Sequence, residues 1–408
     1  MTLTGGAMRA IYLDVNVPKA LLTKALRRVW PGVVWSPLSP VHVAEIPEPP
    51  LPGPRWIRVR NRLCGICGTD LSLLFIHADP DVSPVALPGL SRFYLGHEVV
   101  SEVVEVGPEV TRVQPGDRVI MDTRFTGPTC LSQEIDPPCR HCAAGNYLLC
   151  ENQSAGRGPV GVGGGWGDGY TAHESEVYPI PPDLDDDQAV LVEPYSVGLR
   201  AVLRRPPQAG ERVLVLGCGI IGLLTLRVAR VVAPEAFIVA MARYPHQAEM
   251  ARRLGADEVI TDRDGYEAVA RLTGGKLYRG ALGNRTILGG FDVIYDAVGT
   301  ARTLQDSLRW TRAGGTVVMI GISPKRFKSD LSPIWHQEVD LIGSLGHGME
   351  QWQGESVYGL ELVIRWMREG RLPIEGLITH RFPLEAYKEA IATATDKRSG
   401  AIKVVFEY

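Results

Sequence analysis

The run Arg212-Val213-Leu214-Val215-Leu216, followed at once by Gly217-Cys218-Gly219-Ile220-Ile221-Gly222, constrains the fold of this chain more than any other segment. A continuous apolar run of this length is what a strand buried on both faces requires. The glycine spacing is that of a dinucleotide-binding turn, and a helical pattern follows through Val231. In such a turn Gly217 allows the tight bend, Gly219 lets backbone approach a pyrophosphate, and Gly222 permits close helix packing. The helix N-terminus, with Ile220 and Ile221, faces the phosphates. Further on come strand-like Ala236 to Met241, a helix near Gln247 to Leu254, and strand-like Glu258 to Ile260. Later strands are expected at Phe291 to Asp296, Thr316 to Ile320 and Val339 to Ile342. This alternation predicts an α/β architecture with a doubly wound parallel sheet. Residues 271–290 interrupt it and read as an inserted loop.

Residues 9 to about 195 have a different texture, short apolar runs separated by Gly and Pro, which is a β-rich pattern. Residues 156–169 hold eight glycines, too many for an element interior, so a loop near the surface or a site is expected. After Gly343 the character is mixed, with a helix near Leu360 to Arg368 and a final strand from Ala401 to Phe406. A length of 408 residues suits two domains. The expected organisation is a β-rich domain over 1–195 and 344–408, and a dinucleotide-binding domain over 196–343. A net charge of −3 without a Lys/Arg run gives no electrostatic footprint for nucleic acid. Met1 to Asp14 lacks an apolar signal core, and no apolar stretch approaches about 18 residues. A cytoplasmic protein with neither nucleic-acid nor membrane partners is expected.

In that compartment seven cysteines have to be explained without disulfides. Cys64 and Cys67 sit together, Cys130, Cys139, Cys142 and Cys150 cluster, and Cys218 lies inside the glycine turn. Clustering favours metal binding; Cys64 and Cys218 read as small buried hydrophobes. Cys67 is followed thirty residues later by His97-Glu98. Thiolate, imidazole and carboxylate are ligand types zinc takes, and catalytic zinc uses three protein ligands with a fourth position open. Zinc so held polarises an alcohol oxygen and lowers the pKa of a bound hydroxyl toward about 7.

The motifs Gly65-Ile66-Cys67-Gly68-Thr69-Asp70, Gly96-His97-Glu98, the cysteine lobe and Glu193-Pro194 precede the glycine turn. Asp296-Ala297-Val298-Gly299 and Gly314-Gly315-Thr316 follow it. In this order they resemble the zinc-dependent medium-chain alcohol and polyol dehydrogenases, from about Met8 to Tyr408. The resemblance implies a GroES-like catalytic domain and a Rossmann-type coenzyme domain. It implies zinc ligation by Cys67, His97 and Glu98, with Glu193 approaching or exchanging onto the metal. Asp70 would accept the other N–H of His97, and Thr69 would take the substrate proton. Relatives carry a histidine three residues beyond that hydroxyl; here the position is Ser72, so the relay runs through Ser72 and water or elsewhere. Cys139, Cys142 and Cys150 match three ligands of the family's structural zinc lobe. Either Asp136 completes a site of three cysteines and one aspartate, or Cys130 reaches in from the loop Arg124 to Glu134.

Coenzyme choice is set at the end of the second strand, where NAD-preferring relatives carry an acid. Here that position is Ala242, followed by Arg243 and Tyr244. No carboxylate repels a 2′-phosphate, and Arg243 can pair with it, so NADP(H) is expected over NAD(H). Val298 and Gly321 complete the candidate coenzyme contacts. Glu98 and Glu193 resemble the polyol and sugar branch, whereas Gly346-His347-Gly348-Met349-Glu350-Gln351-Trp352 resembles a loop of threonine-dehydrogenase-like members. The expected substrate is a secondary alcohol, polyol or sugar, or its ketone or lactone. Trp166 is a candidate pocket wall or plain packing, and His347 a candidate pocket residue. The rivals are a zinc-free NADPH quinone or enone reductase and a non-catalytic nucleotide-binding protein. The resemblance further implies a homodimer or homotetramer joined through coenzyme-domain sheet edges.

Overall fold

In the computed structural model, which describes residues 6–86, 91–122, 127–153 and 159–408, Arg212–Leu216 lies inside a six-stranded parallel sheet. The strand order is Glu258–Ile260, Phe237–Met241, Arg212–Leu216, Phe291–Asp296, Thr311–Met319, Asp340–Gly343. The order in which strands are added reverses between Arg212–Leu216 and Phe291–Asp296, the switch point at which such sheets bind ligands. Val213, Leu214 and Val215 are fully buried, as a strand covered on both faces requires. The helix Ile220–Val232 follows the turn directly, and a Cβ at Gly222 would run into the Gly217 carbonyl.

The segment 271–290 is not an irregular loop. After the helix Tyr266–Thr273 it forms an antiparallel hairpin, Lys276–Arg279 with Arg285–Leu288. Only Ile287 of its eight paired residues is fully buried, against Phe291, Leu304 and Trp310. One inward residue leaves too little alternation to read as strands.

Contacts divide the chain into Met1–Glu193 with Ile378–Tyr408, and Pro194–Leu377. Residues 344–377, expected with the β-rich domain, therefore group with the parallel sheet. Buried and half-buried ties hold them there. The Tyr195 hydroxyl donates to Pro373 O at 2.6 Å, Arg227 Nε to Arg371 O at 2.7 Å, and Arg200 pairs with Glu350 at 2.7 Å. None of the three is visible in local sequence pattern.

The other unit is built on a sheet ordered Ile378–Pro383, Lys403–Glu407, Trp56–Gly65, Glu98–Val106, Arg118–Met121, Val177–Pro179. Gly169–His173 pairs with Trp56–Gly65 as well. Its register sets Gly65 opposite both Glu98 and Val405. Ile57, Val59, Val99, Val103, Val119 and Phe406 form its core. Residues 156–158 of the glycine-rich stretch lie outside the described residues, as do 124–126 of the Arg124 to Glu134 loop. From Gly163 to Gly167 the stretch is buried rather than superficial. The Asn61 amide donates to the carbonyls of Gly164 and Gly167, and a Cβ at Gly165 would strike Cys64 Sγ. Trp166 is 1% exposed and stands edge-on to Phe406, so it is core packing, not an open pocket wall. No described helix is long and apolar enough to cross a membrane.

Candidate active site and metal centres

The glycine stretch has a consequence for the residues after it in space. Gly165 N–H and Trp166 N–H donate to the carbonyls of Gly96 and Leu95, both at 2.8 Å. Gly96 has φ +86°, a left-handed conformation that glycine adopts without cost, and a Cβ there would collide with Trp166. The backbone carrying His97 is thereby clamped from behind. Gly65, across the strand pair from Glu98, leaves the room that the Glu98 carboxylate occupies.

These elements bring one donor atom each of Cys67, His97 and Glu98 within 4.8 Å of one another. Asp70, 2% exposed, accepts from Gly96 N–H at 2.9 Å and faces His97 Nδ1 at 3.2–3.3 Å. A proton on Nδ1 directed at Asp70 leaves the Nε2 lone pair for a metal. Burial works against a charged His97, but the neighbouring Asp70 and Cys67 outweigh it and raise its pKa. Thr69 Oγ1 lies 3.1 Å from Cys67 Sγ and 3.5 Å from His97 Nε2, at the edge of the donor set. Ser72 stands one turn further along the helix Gly68–Leu74.

Glu98 is 1% exposed, and one of its oxygens, Oε2, accepts from Lys403 Nζ. Oε1 is buried without a hydrogen-bond partner. A carboxylate oxygen buried and unmatched is costly, and a cation among the three donors would satisfy it. The donor set fits zinc. Glu193 is not part of this group; its charge instead acts on Lys403, whose pKa is raised, burial being outweighed by Glu98, Cys67 and Glu193. Lys403 is a member of the site that sequence reasoning misses. A lysine in the apolar run Ala401 to Phe406 is the available signal, since lysine is almost never fully buried unpaired.

At the second cluster, donor atoms of Cys130, Cys139, Cys142 and Cys150 lie within 4.8 Å of one another, and Asp136 is outside the group. The alternative with Cys130 is the one assembled here. Cys130 Sγ is 3.6 Å from Cys150 Sγ and accepts from Cys139 N–H at 3.3 Å and Asn152 Nδ2 at 3.2 Å. Burial pushes the Cys142 thiol up and the Cys150 thiol up to about 11. At Cys139 burial is overcome by N–H donors from Cys142 and Glu151, and the value falls to about 6. Four thiolates this close repel one another unless a cation lies among them, and four cysteines are a structural zinc set. Cys130→Ser is expected to lower bound zinc by about one ion per chain and loosen the lobe, while Asp136→Asn leaves it unchanged. Metal analysis of the two variants checks this; equal zinc in Cys130→Ser and the parent would count against the four-cysteine set.

In the other unit Ala242 is 1% exposed at the end of the strand Phe237–Met241, and its N–H donates to Ile260 O. Arg243 is exposed, with its guanidinium 5.5 Å from the Tyr244 ring centroid, and no described carboxylate pairs with it. The Val298 side chain lies against Gly217, and Gly321 against Val298 and Gly299. Cys218 is a buried thiol whose pKa burial raises to about 12, consistent with a packing role. His347 is 2% exposed beside Tyr358, and Glu350 of the same segment pairs with Arg200.

Comparison with known proteins places these observations. Residues 53–182 match the model of the alcohol dehydrogenase GroES-like domain, and residues 221–357 that of zinc-binding dehydrogenases. L-threonine 3-dehydrogenase of Saccharopolyspora erythraea is 30% identical over 374 residues, 91% of this chain and 97% of that protein. L-idonate 5-dehydrogenase of Vitis vinifera is 29% identical over 360 residues, 87% of this chain and 88% of that one. Among solved structures, a zinc-binding dehydrogenase from Sinorhizobium meliloti 1021 bound to NADP shares 25% identity. It superposes with a TM-score of 0.71, over 99% of this chain and 100% of that one.

Proposed function

The chain belongs to the zinc-dependent medium-chain alcohol and polyol dehydrogenases, and from that premise we propose that it transfers hydride between a secondary alcohol or polyol and NADP(H). The observation that carries the chemistry is the meeting of Cys67, His97 and Glu98 with the Thr69 hydroxyl at their edge. Zinc bound there would polarise the substrate oxygen as a Lewis acid. Thr69 Oγ1 then receives the hydroxyl proton and hands it on through Ser72 and water. Asp70 keeps His97 in the tautomer that frees Nε2. Glu193 is assigned the second carboxylate of the site, acting on Lys403 in the state described here. In the second unit Gly217, Gly219, Ile220, Ile221 and Gly222 receive the pyrophosphate, with Val298 and Gly321 beside them.

Two features support NADP(H) over NAD(H). Ala242 supplies no carboxylate, and Arg243 is exposed without an acidic partner among the described residues. The neighbour from Sinorhizobium meliloti was solved with NADP. Replacing Ala242 by Asp together with Arg243→Ser is expected to invert the preference. Each side of the exchange moves kcat/KM about tenfold to a hundredfold, the scale of a charge-assisted hydrogen bond. An unchanged NADP/NAD ratio would sink the assignment.

A second substrate reading is favoured by the Saccharopolyspora erythraea relative, an L-threonine 3-dehydrogenase, and by the Gly346 to Trp352 segment. On that reading the substrate is a 2-amino-3-hydroxy acid. Nicotinamide absorbance followed with polyols, aldonic acids, secondary alcohols and 2-amino-3-hydroxy acids, with and without a zinc chelator, separates the two. Chelator-insensitive reduction of quinones or enones would instead support the zinc-free alternative. A homodimer or homotetramer joined at the edge strand Asp340–Gly343 is proposed as well; a monomer by light scattering would overturn it.

A further inference from the structure

Asp296 ends the strand Phe291–Asp296 and is fully buried, yet none of the roles above uses it. Its Oδ1 accepts N–H from Val298 at 2.9 Å and from Gly299 at 3.0 Å. Its main-chain carbonyl accepts from Ile320 and Gly321, both at 2.9 Å. One residue therefore ties the turn 297–300 to the segment leaving the neighbouring strand Thr311–Met319. The junction has no slack. Gly299 has φ +69°, a Cβ on it would strike the Gly321 carbonyl, and a Cβ on Gly321 would strike the Val298 backbone.

What this arrangement fixes is Val298. Its methyl lies so close over Gly217 that any Cβ on Gly217 would collide with it, and the side chain is nevertheless 39% exposed. Single exposed apolar side chains are ordinary on a surface. This one is held by a turn anchored on one buried residue, against the first glycine of the dinucleotide turn, at the sheet's switch point.

We infer that Asp296 is the positioning residue of the coenzyme site, holding Val298 and Gly299 as its fixed wall through their backbone N–H groups. The inference rests on the reading of this unit as the NADP(H)-binding one. Preorganised contacts spare a ligand the cost of ordering the protein on binding. Asp296 thus acts on coenzyme affinity without touching the coenzyme.

The test compares Asp296→Ala, Asp296→Asn and Val298→Ala by NADPH fluorescence titration, steady-state kinetics and hydrogen exchange of the peptide 296–300. Asparagine keeps an Oδ1 acceptor, so Asp296→Asn is expected to bind NADPH within about threefold of the parent. Asp296→Ala is expected to raise the NADPH Kd and coenzyme KM about tenfold, with kcat and alcohol KM little changed. Exchange at 298–299 should quicken in Asp296→Ala even without NADPH. Unchanged NADPH affinity in folded Asp296→Ala, or equal losses in the Ala and Asn variants, overturns the inference. Should Asp296→Ala not fold, Val298→Ala decides: a severalfold weaker Kd supports the wall, and parental affinity overturns it. A parent chain that binds neither NADPH nor NADH overturns the coenzyme reading and this inference with it. Parental binding with indifferent variants overturns this inference alone.

Discussion

Cys67→Ala is expected to abolish alcohol oxidation, with a loss in kcat of at least about a thousandfold, and to lose the metal of that site. Cys67 is one of only three donors that meet there among the described residues, and removing it leaves an imidazole and a carboxylate already shared with Lys403. Thr69→Val separates proton transfer from metal binding. It should retain zinc and lose about a hundredfold or more in kcat, the scale of general acid–base catalysis. Asp70→Asn tests the orientation of His97 and should weaken metal affinity about tenfold to a hundredfold. Metal content and kcat measured together on the three variants give the check. Full turnover in metal-free Cys67→Ala would remove zinc from the mechanism and return the zinc-free reductase to the front.

The parallel sheet is legible in the sequence because its strands are continuous apolar runs punctuated by glycine turns, a signal local to each segment. The candidate donors Cys67, His97 and Glu98 are legible because their motifs are short and contiguous. What escapes is carried by long-range geometry. Cys130 joins Cys139, Cys142 and Cys150 from outside the expected spacing, and only the folded loop shows that it, and not Asp136, reaches them. Trp166 reads equally as pocket wall or core until the strand with Phe406 is placed beneath it. The hairpin over 276–288 carries one buried side chain, less than periodicity needs. Lys403 lies 305 positions from Glu98 in sequence, and no local pattern pairs them.

That pair yields the second large effect. Lys403→Met is expected to destabilise the metal-free protein by about 3–5 kcal/mol, because it leaves the Glu98 carboxylate buried without its cation. Methionine nearly fills the volume of the lysine stem, so the loss reports charge rather than cavity. The double variant Lys403→Met with Glu98→Gln should recover much of it, since removing both members of a buried pair costs far less than removing one. Zinc supplies the discriminating condition. If Glu98 donates its partnerless Oε1 to the metal, the ion stands in for the ammonium, and the loss in Lys403→Met shrinks when zinc is present. Were Glu98 committed to Lys403 alone, the loss would be the same with and without zinc. Denaturant midpoints of the parent, both single variants and the double variant, each measured with and without zinc, separate a structural ion pair from a ligand held ready by one.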